Sequence, residues 1–80
     1  MKLGTFLTKF TENYVGVKVF DIETNVLLCY GCQNDQKFAK TATMYYTYGV
    51  VRQTVWDNNI HVYVLKPKRS INEFFNNQNQ

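Results

Sequence analysis

The sequence predicts a small α+β domain with the element order α-β-β-α-β-β and a short terminal helix, its sheet antiparallel and its helices packed on one face. Three observations lead there. Apolar residues recur at helical spacing at the start and in the middle of the chain, strand-like alternation follows each of those segments, and turn-forming residues divide each alternating stretch in two. Eighty residues make one domain, assigned to 1–75, and a polar low-complexity tail at 76–80.

Leu3, Phe6, Leu7 and Phe10 lie at i, i+3, i+4 and i+7, so the spacing predicts an amphipathic helix over residues 2–12. From Val15 the period becomes two: Val15, Val17 and Val19 alternate with Gly16, Lys18 and Phe20, as in a strand with one face on a core. Asp21 to Asn25 read as a polar turn and Val26 to Tyr30 as the return strand of a hairpin. Phe38, Ala39, Ala42, Tyr45 and Tyr46 restore helical spacing, with Asp35 placed as an N-cap and Gly49 as a C-terminal stop. The threonines and tyrosines of residues 36–48 are poor helix formers, and a strand remains the competing assignment.

Val50 to Trp56 and Ile60 to Leu65 are rich in β-branched and aromatic residues, and Asp57-Asn58-Asn59 between them tolerate the positive φ values of a tight hairpin. Alternation sends Ile60, Val62 and Val64 to the core and His61 and Tyr63 outward. Beyond Pro67, Ser70 and Glu73 have capping-box spacing, and Ile71, Phe74 and Phe75 offer an apolar face for a last short helix. The two helix–hairpin units share too few identical residues to argue for a duplication.

Composition narrows the function classes. With 45% apolar and 16% aromatic residues the chain can build a core, and only 19% charged residues argue against disorder. A domain of this size buries only ~60–65% of its unfolded surface and has no room for a cleft between domains. Thr5, Thr8 and Lys9 interrupt any leader-like run, and no stretch approaches the ~20 apolar residues that span a bilayer, so the expected compartment is the cytoplasm. Cys29 and Cys32 are then expected as thiols.

The C-x-x-C at Cys29-Tyr30-Gly31-Cys32 has two sharp readings, a redox dithiol or half of a zinc site. A redox dithiol opens a helix, whereas Cys29 falls in a strand pattern. A zinc site needs four ligands, and the sequence offers two cysteines and the single His61 before carboxylates must be enlisted. A strand cysteine followed by a turn cysteine accounts for both. His61 could act as a base only with an orienting carboxylate, for which Asp57 is the neighbour in sequence. No catalytic set, cofactor or metal is implied, and no Gly-rich phosphate loop is present.

Aromatic excess is the most informative feature. Tyr45, Tyr46, Tyr48, Trp56 and Tyr63 crowd one stretch with Arg52, and these residue types dominate binding hot spots because they bury large area and keep a polar handle. They are the candidate partner-binding residues, against the alternative that they complete a small core. A second candidate set, Arg52, Lys66, Lys68 and Arg69, would contact phosphates in direct nucleic-acid binding, consistent with a net charge of +3.

Met1-Lys2-Leu3-Gly4-Thr5-Phe6-Leu7, then Val17-Lys18-Val19-Phe20-Asp21-Ile22-Glu23-Thr24, then Val55-Trp56-Asp57-Asn58-Asn59-Ile60-His61-Val62-Tyr63-Val64 give the chain a resemblance over about residues 1–65. It resembles short reading frames of phages and mobile elements of Gram-positive bacteria, in which a short helix leads to a strand with an Asp-x-Glu-Thr turn. The resemblance implies a non-enzymatic accessory protein, and some of its class, anti-CRISPRs among them, act by occupying the surface of a host nucleoprotein. It carries over no site residue. The expected function is therefore a binding protein that inhibits or modulates a host protein or nucleoprotein; a nucleic-acid binder comes second and a metal or redox protein built on Cys29 and Cys32 third. A homodimer is admissible on either of the first two readings.

Overall fold

A computed structural model describes residues 1–11 and 15–67. Its elements are α1 (Leu3–Phe10), β1 (Gly16–Asp21), β2 (Leu27–Gly31), α2 (Gln36–Ala42) continued by a 3-10 turn (Thr43–Tyr45), β3 (Gly49–Trp56) and β4 (Asn59–Leu65). The α+β class and the order α-β-β-α-β-β are those expected. The short helix and tail expected after Pro67 lie outside the described residues.

Both hairpins are antiparallel, but the sheet they form is mixed. The strand order is β2-β1-β4-β3, and the central pair, β1 with β4, is parallel. Chain direction explains it: α2 and its 3-10 extension carry the chain from the end of β2 back to the other end of the sheet. β3 then runs with β2, and β4 runs with β1. An all-antiparallel sheet would have required the second hairpin to enter from the opposite end.

One face of the sheet holds the core. Val17 and Val19 of β1, Cys29 of β2, and Val62 and Val64 of β4 pack against Leu3, Phe6 and Leu7 of α1 and Phe38 and Ala42 of α2. Leu3, Val19, Ala42, Val62 and Val64 are completely inaccessible to solvent. Strand alternation places Val17, Val19, Val62 and Val64 inward, as expected for Ile60, Val62 and Val64.

Both helices are anchored at their ends. Lys2 offers α1 no side-chain cap, and the free amides of its first turn instead donate to loop carbonyls: Leu3 N–H to Tyr48 at 2.8 Å and Gly4 N–H to Tyr46 at 3.0 Å. At its other end Gln33 donates from its amide nitrogen to the carbonyls of Leu7 (2.6 Å) and Thr11 (3.2 Å) and to the Thr11 hydroxyl. Asp35 caps α2 by accepting the Lys37 N–H at 2.9 Å. Helix α2 stops at Ala42, Tyr46 lies in a turn, and Gly49 opens β3 instead of closing the helix. Val15 and Val26, expected in strands, lie just outside them.

Besides Asn25 between β1 and β2, with φ 59°, two further places need unusual backbone. Asp57 and Asn58 take φ of 52° and 61°, the left-handed pair that closes a two-residue hairpin with the twist of its strands. Gly31 has φ 148°, and a Cβ there would stand 2.7 Å from the Cβ of Phe38, so glycine lets α2 close onto the end of β2.

Candidate functional site

The second face of the sheet is uncovered by any described element, because both helices pack on the first. Cross-strand register arranges its side chains in rows. One row runs Tyr30, Lys18, His61, Thr54; the next runs Leu27, Phe20, Tyr63, Arg52; the third holds Gly16, Asn59 and Trp56. β-bulges after Val19 and after Val50 keep the edge strands in step with these rows.

The row of Phe20, Tyr63 and Arg52, at one end of the three, is a built stack. The rings of Phe20 and Tyr63 lie 5.2 Å apart and 20° from parallel, and the Arg52 guanidinium carbon sits 4.3 Å from the centre of the Tyr63 ring. Phe20 comes from β1 and Arg52 from β3, on either side of β4, so the Tyr63 ring is covered on both faces. Phe20 also meets the His61 ring at 5.5 Å. His61 is half-buried there and its Nε2 has no hydrogen-bond partner, so the proposed orientation by Asp57 is not made through that nitrogen.

Two free aromatics on the edge strands share the face with this stack. Tyr30 on β2 is 68% exposed and Trp56 on β3 is 70% exposed, with Val55 at 72% on the other side of the same strand. The open-face positions of the described strands carry Lys18, Arg52 and His61 and no carboxylate; Asp21 points inward and accepts the Glu23 N–H, while Glu23 and Asp57 lie in turns and Asp35 caps α2.

The six aromatic and basic candidates do not form one patch. Arg52, Trp56 and Tyr63 share the open face, whereas Tyr45 and Tyr48 pack edge to face, 5.2 Å apart, against the helix-side core. Tyr46 lies over Gly4 of α1, its ring 3.2 Å from where a Cβ would stand. In the second set, Lys66 is exposed beyond β4, and Lys68 and Arg69 lie outside the described residues. Sequence reasoning missed Lys18, Phe20 and Tyr30 as members of the face. The signal was present, since they alternate with Val17, Val19 and Cys29, but only the β1–β4 pairing sets them beside His61 and Tyr63.

The cysteines belong elsewhere. Cys29 is buried in β2, and burial pushes its thiol up to about 11. Cys32 sits in the following turn and donates to the Asn34 side-chain oxygen. Both are free thiols, and among the described residues no three His, Cys, Asp or Glu side chains converge on a metal-sized site. A cleft of about 290 Å³ between β2 and α2 is lined by Cys29, Lys37, Thr41 and Asp35, whose carboxylate is engaged as a cap. No described helix is long and apolar enough to cross a membrane. No family model, curated protein or solved structure matches this chain.

Proposed function

We propose that the protein is a non-enzymatic binding module that occupies a partner protein's surface with the open face of its sheet. The observation that carries this reading is the Phe20–Tyr63–Arg52 stack sharing one face of the sheet with the exposed Tyr30 and Trp56. A preorganised aromatic surface loses little side-chain entropy when it is desolvated, the property that concentrates binding energy in Trp, Tyr and Arg. The sequence resemblance supports a more specific setting, an accessory protein of a phage or mobile element that inhibits or modulates a host protein or nucleoprotein, as anti-CRISPRs do.

A second reading is favoured by charge: Lys18, Arg52 and His61 share the face with no carboxylate among the described strand residues, which suits a single-stranded nucleic acid. Against it, both faces of Tyr63 are already occupied and cannot receive a base. Retention of a host partner on immobilised protein, with and without nuclease, separates the two. A protein partner survives nuclease and loses about 2 kcal/mol of affinity with Tyr30→Ala or Trp56→Ala. A nucleic-acid partner disappears with nuclease, and neutralising Lys18, Arg52 and Lys66 flattens the log–log salt slope by about one unit per charge.

A further inference from the structure

The edge strand β3 has two features that one missing neighbour would explain. Its start is covered by the chain's own N-terminus, through the Lys2–Gly49 bridge and the Val50 N–H donated to the Met1 carbonyl at 2.7 Å. From Val51 onward no described residue pairs with its outer side, and residues 52–56 are all exposed. Trp56 and the adjacent Tyr30-bearing face lie on one side of the sheet, but Val55, equally exposed, lies on the other. A partner docked on either face would cover one of the two. A strand added at the edge reaches both.

We propose that the occupant of this edge is the β3 strand of a second copy of the chain, paired antiparallel about a two-fold axis through Thr54. Backbone direction permits it. Trp56 and Asn59 flank the two-residue turn and form its closing hydrogen-bonded pair, so the N–H and C=O groups of Gln53 and Val55 point away from β4. A two-fold at Thr54 sets Gln53 against Val55 of the other copy, and each exchanges its outward groups. The same register sets Arg52 opposite Trp56 of the second copy, as a close, non-hydrogen-bonded pair.

Side-chain chemistry selects a second copy over an arbitrary strand. The Arg52 guanidinium carbon sits 4.3 Å from the centre of the Tyr63 ring, and on the edge strand a second aromatic ring beside it would complete a cation–π sandwich. The strand itself carries an exposed indole four residues on, where this register delivers it. The row then continues as Phe20, Tyr63, Arg52 and the Trp56 of the other copy, twice over, and the two sheets become one of eight strands. An exposed strand edge that ends in valine and tryptophan is otherwise an aggregation site.

Sedimentation equilibrium and cross-linking test the register. The wild-type protein is expected to approach twice the 9.4 kDa chain mass and to dissociate on dilution. Val55→Lys, a charge at a solvent-facing edge position, and Gln53→Pro, which removes an outward N–H, are each expected to give a folded monomer with unchanged circular dichroism, whose melting no longer depends on protein concentration as that of the wild type does. In a Cys32→Ser background, Thr54→Cys should form a disulfide dimer with oxidised glutathione while Tyr30→Cys stays uncross-linked. A wild-type protein monomeric at every concentration, a dimer unaffected by both edge variants, or cross-linking through Tyr30→Cys alone would overturn the proposal. Partner retention by the folded Val55→Lys monomer keeps this outcome distinct from the function proposed above.

Discussion

The two faces of the sheet are made by the same four strands and differ by a single residue of phase. On the helix side, Val17, Val19, Val62 and Val64 are sealed by Leu3, Leu7 and Phe38, so their contribution is fully realised within the chain. On the other side, Lys18, Phe20, Tyr30, Arg52, Trp56, His61 and Tyr63 are held by neighbours in the sheet and by no described covering layer. The first face decides whether the chain folds. The second holds aromatic area that no described element buries, and it grades from the half-buried Phe20–Tyr63 pair to the exposed Tyr30 and Trp56 at the edges.

That contrast should appear as a gradient of stability effects. Leu7→Ala, at a position 2% exposed in the sealed face, is expected to cost about 3–4 kcal/mol, seen as a fall in the urea midpoint. In a domain of this size that is a large fraction of the total stability. Gly31→Ala, which must hold φ 148° and displace Phe38, should cost about 2–4 kcal/mol, and a midpoint unchanged there would mean that α2 does not close onto β2 as described.

On the open face the effects should shrink row by row. A double-mutant cycle of Arg52→Ala with Tyr63→Leu should give about 0.5–1 kcal/mol of coupling, and the same cycle with Tyr63→Phe should give nearly none, because phenylalanine keeps the ring that meets the guanidinium. Trp56→Ala should change folding stability by less than about 0.5 kcal/mol while weakening association, so a destabilised but normally binding variant would reverse the assignment of the two faces.

The smallest signal is a pH effect on the sealed face. The Cys29 thiol is raised from 9.0 to about 11 by burial, so above pH 9 the unfolded chain loses this proton while the folded one keeps it. Stability from this group is intact below pH 9 and falls as pH rises toward 11. Cys29→Ala should show a flatter decline than wild type over that window. Iodoacetamide at neutral pH should label Cys32 in the folded protein before Cys29.

Much of the fold was legible because alternation and turn chemistry are local. The period-two runs around Val17 and Val62, the Asp57-Asn58 turn with both φ values positive, and the Asp35 cap each depend on a few consecutive residues. Helical spacing predicts a helix over residues 36–48, with a strand as the competing assignment, and the helix that forms tightens to a 3-10 turn after Ala42, as the weak helix formers there allow. The aromatic cluster was misleading in a different way: Tyr45 and Tyr48 are near Arg52 in sequence but pack on the opposite side of the sheet.

By itself, then, the sequence determined which residues alternate, where the chain turns, and that Ile60, Val62 and Val64 oppose His61 and Tyr63, because side-chain direction along a strand follows from backbone geometry alone. Only the tertiary structure decided that β1 lies beside β4, and in parallel. That pairing depends on where α2 delivers the second hairpin and on the volume that Phe38 and Leu7 fill, quantities summed over the whole core. It also decided that Gln33 ties off α1 across 26 residues of sequence separation, since nothing local to a glutamine in a turn names the carbonyl it will meet. The open face is the product of both: the outward residues were written in the strands, and their assembly into one row from Phe20 to Arg52 required the sheet.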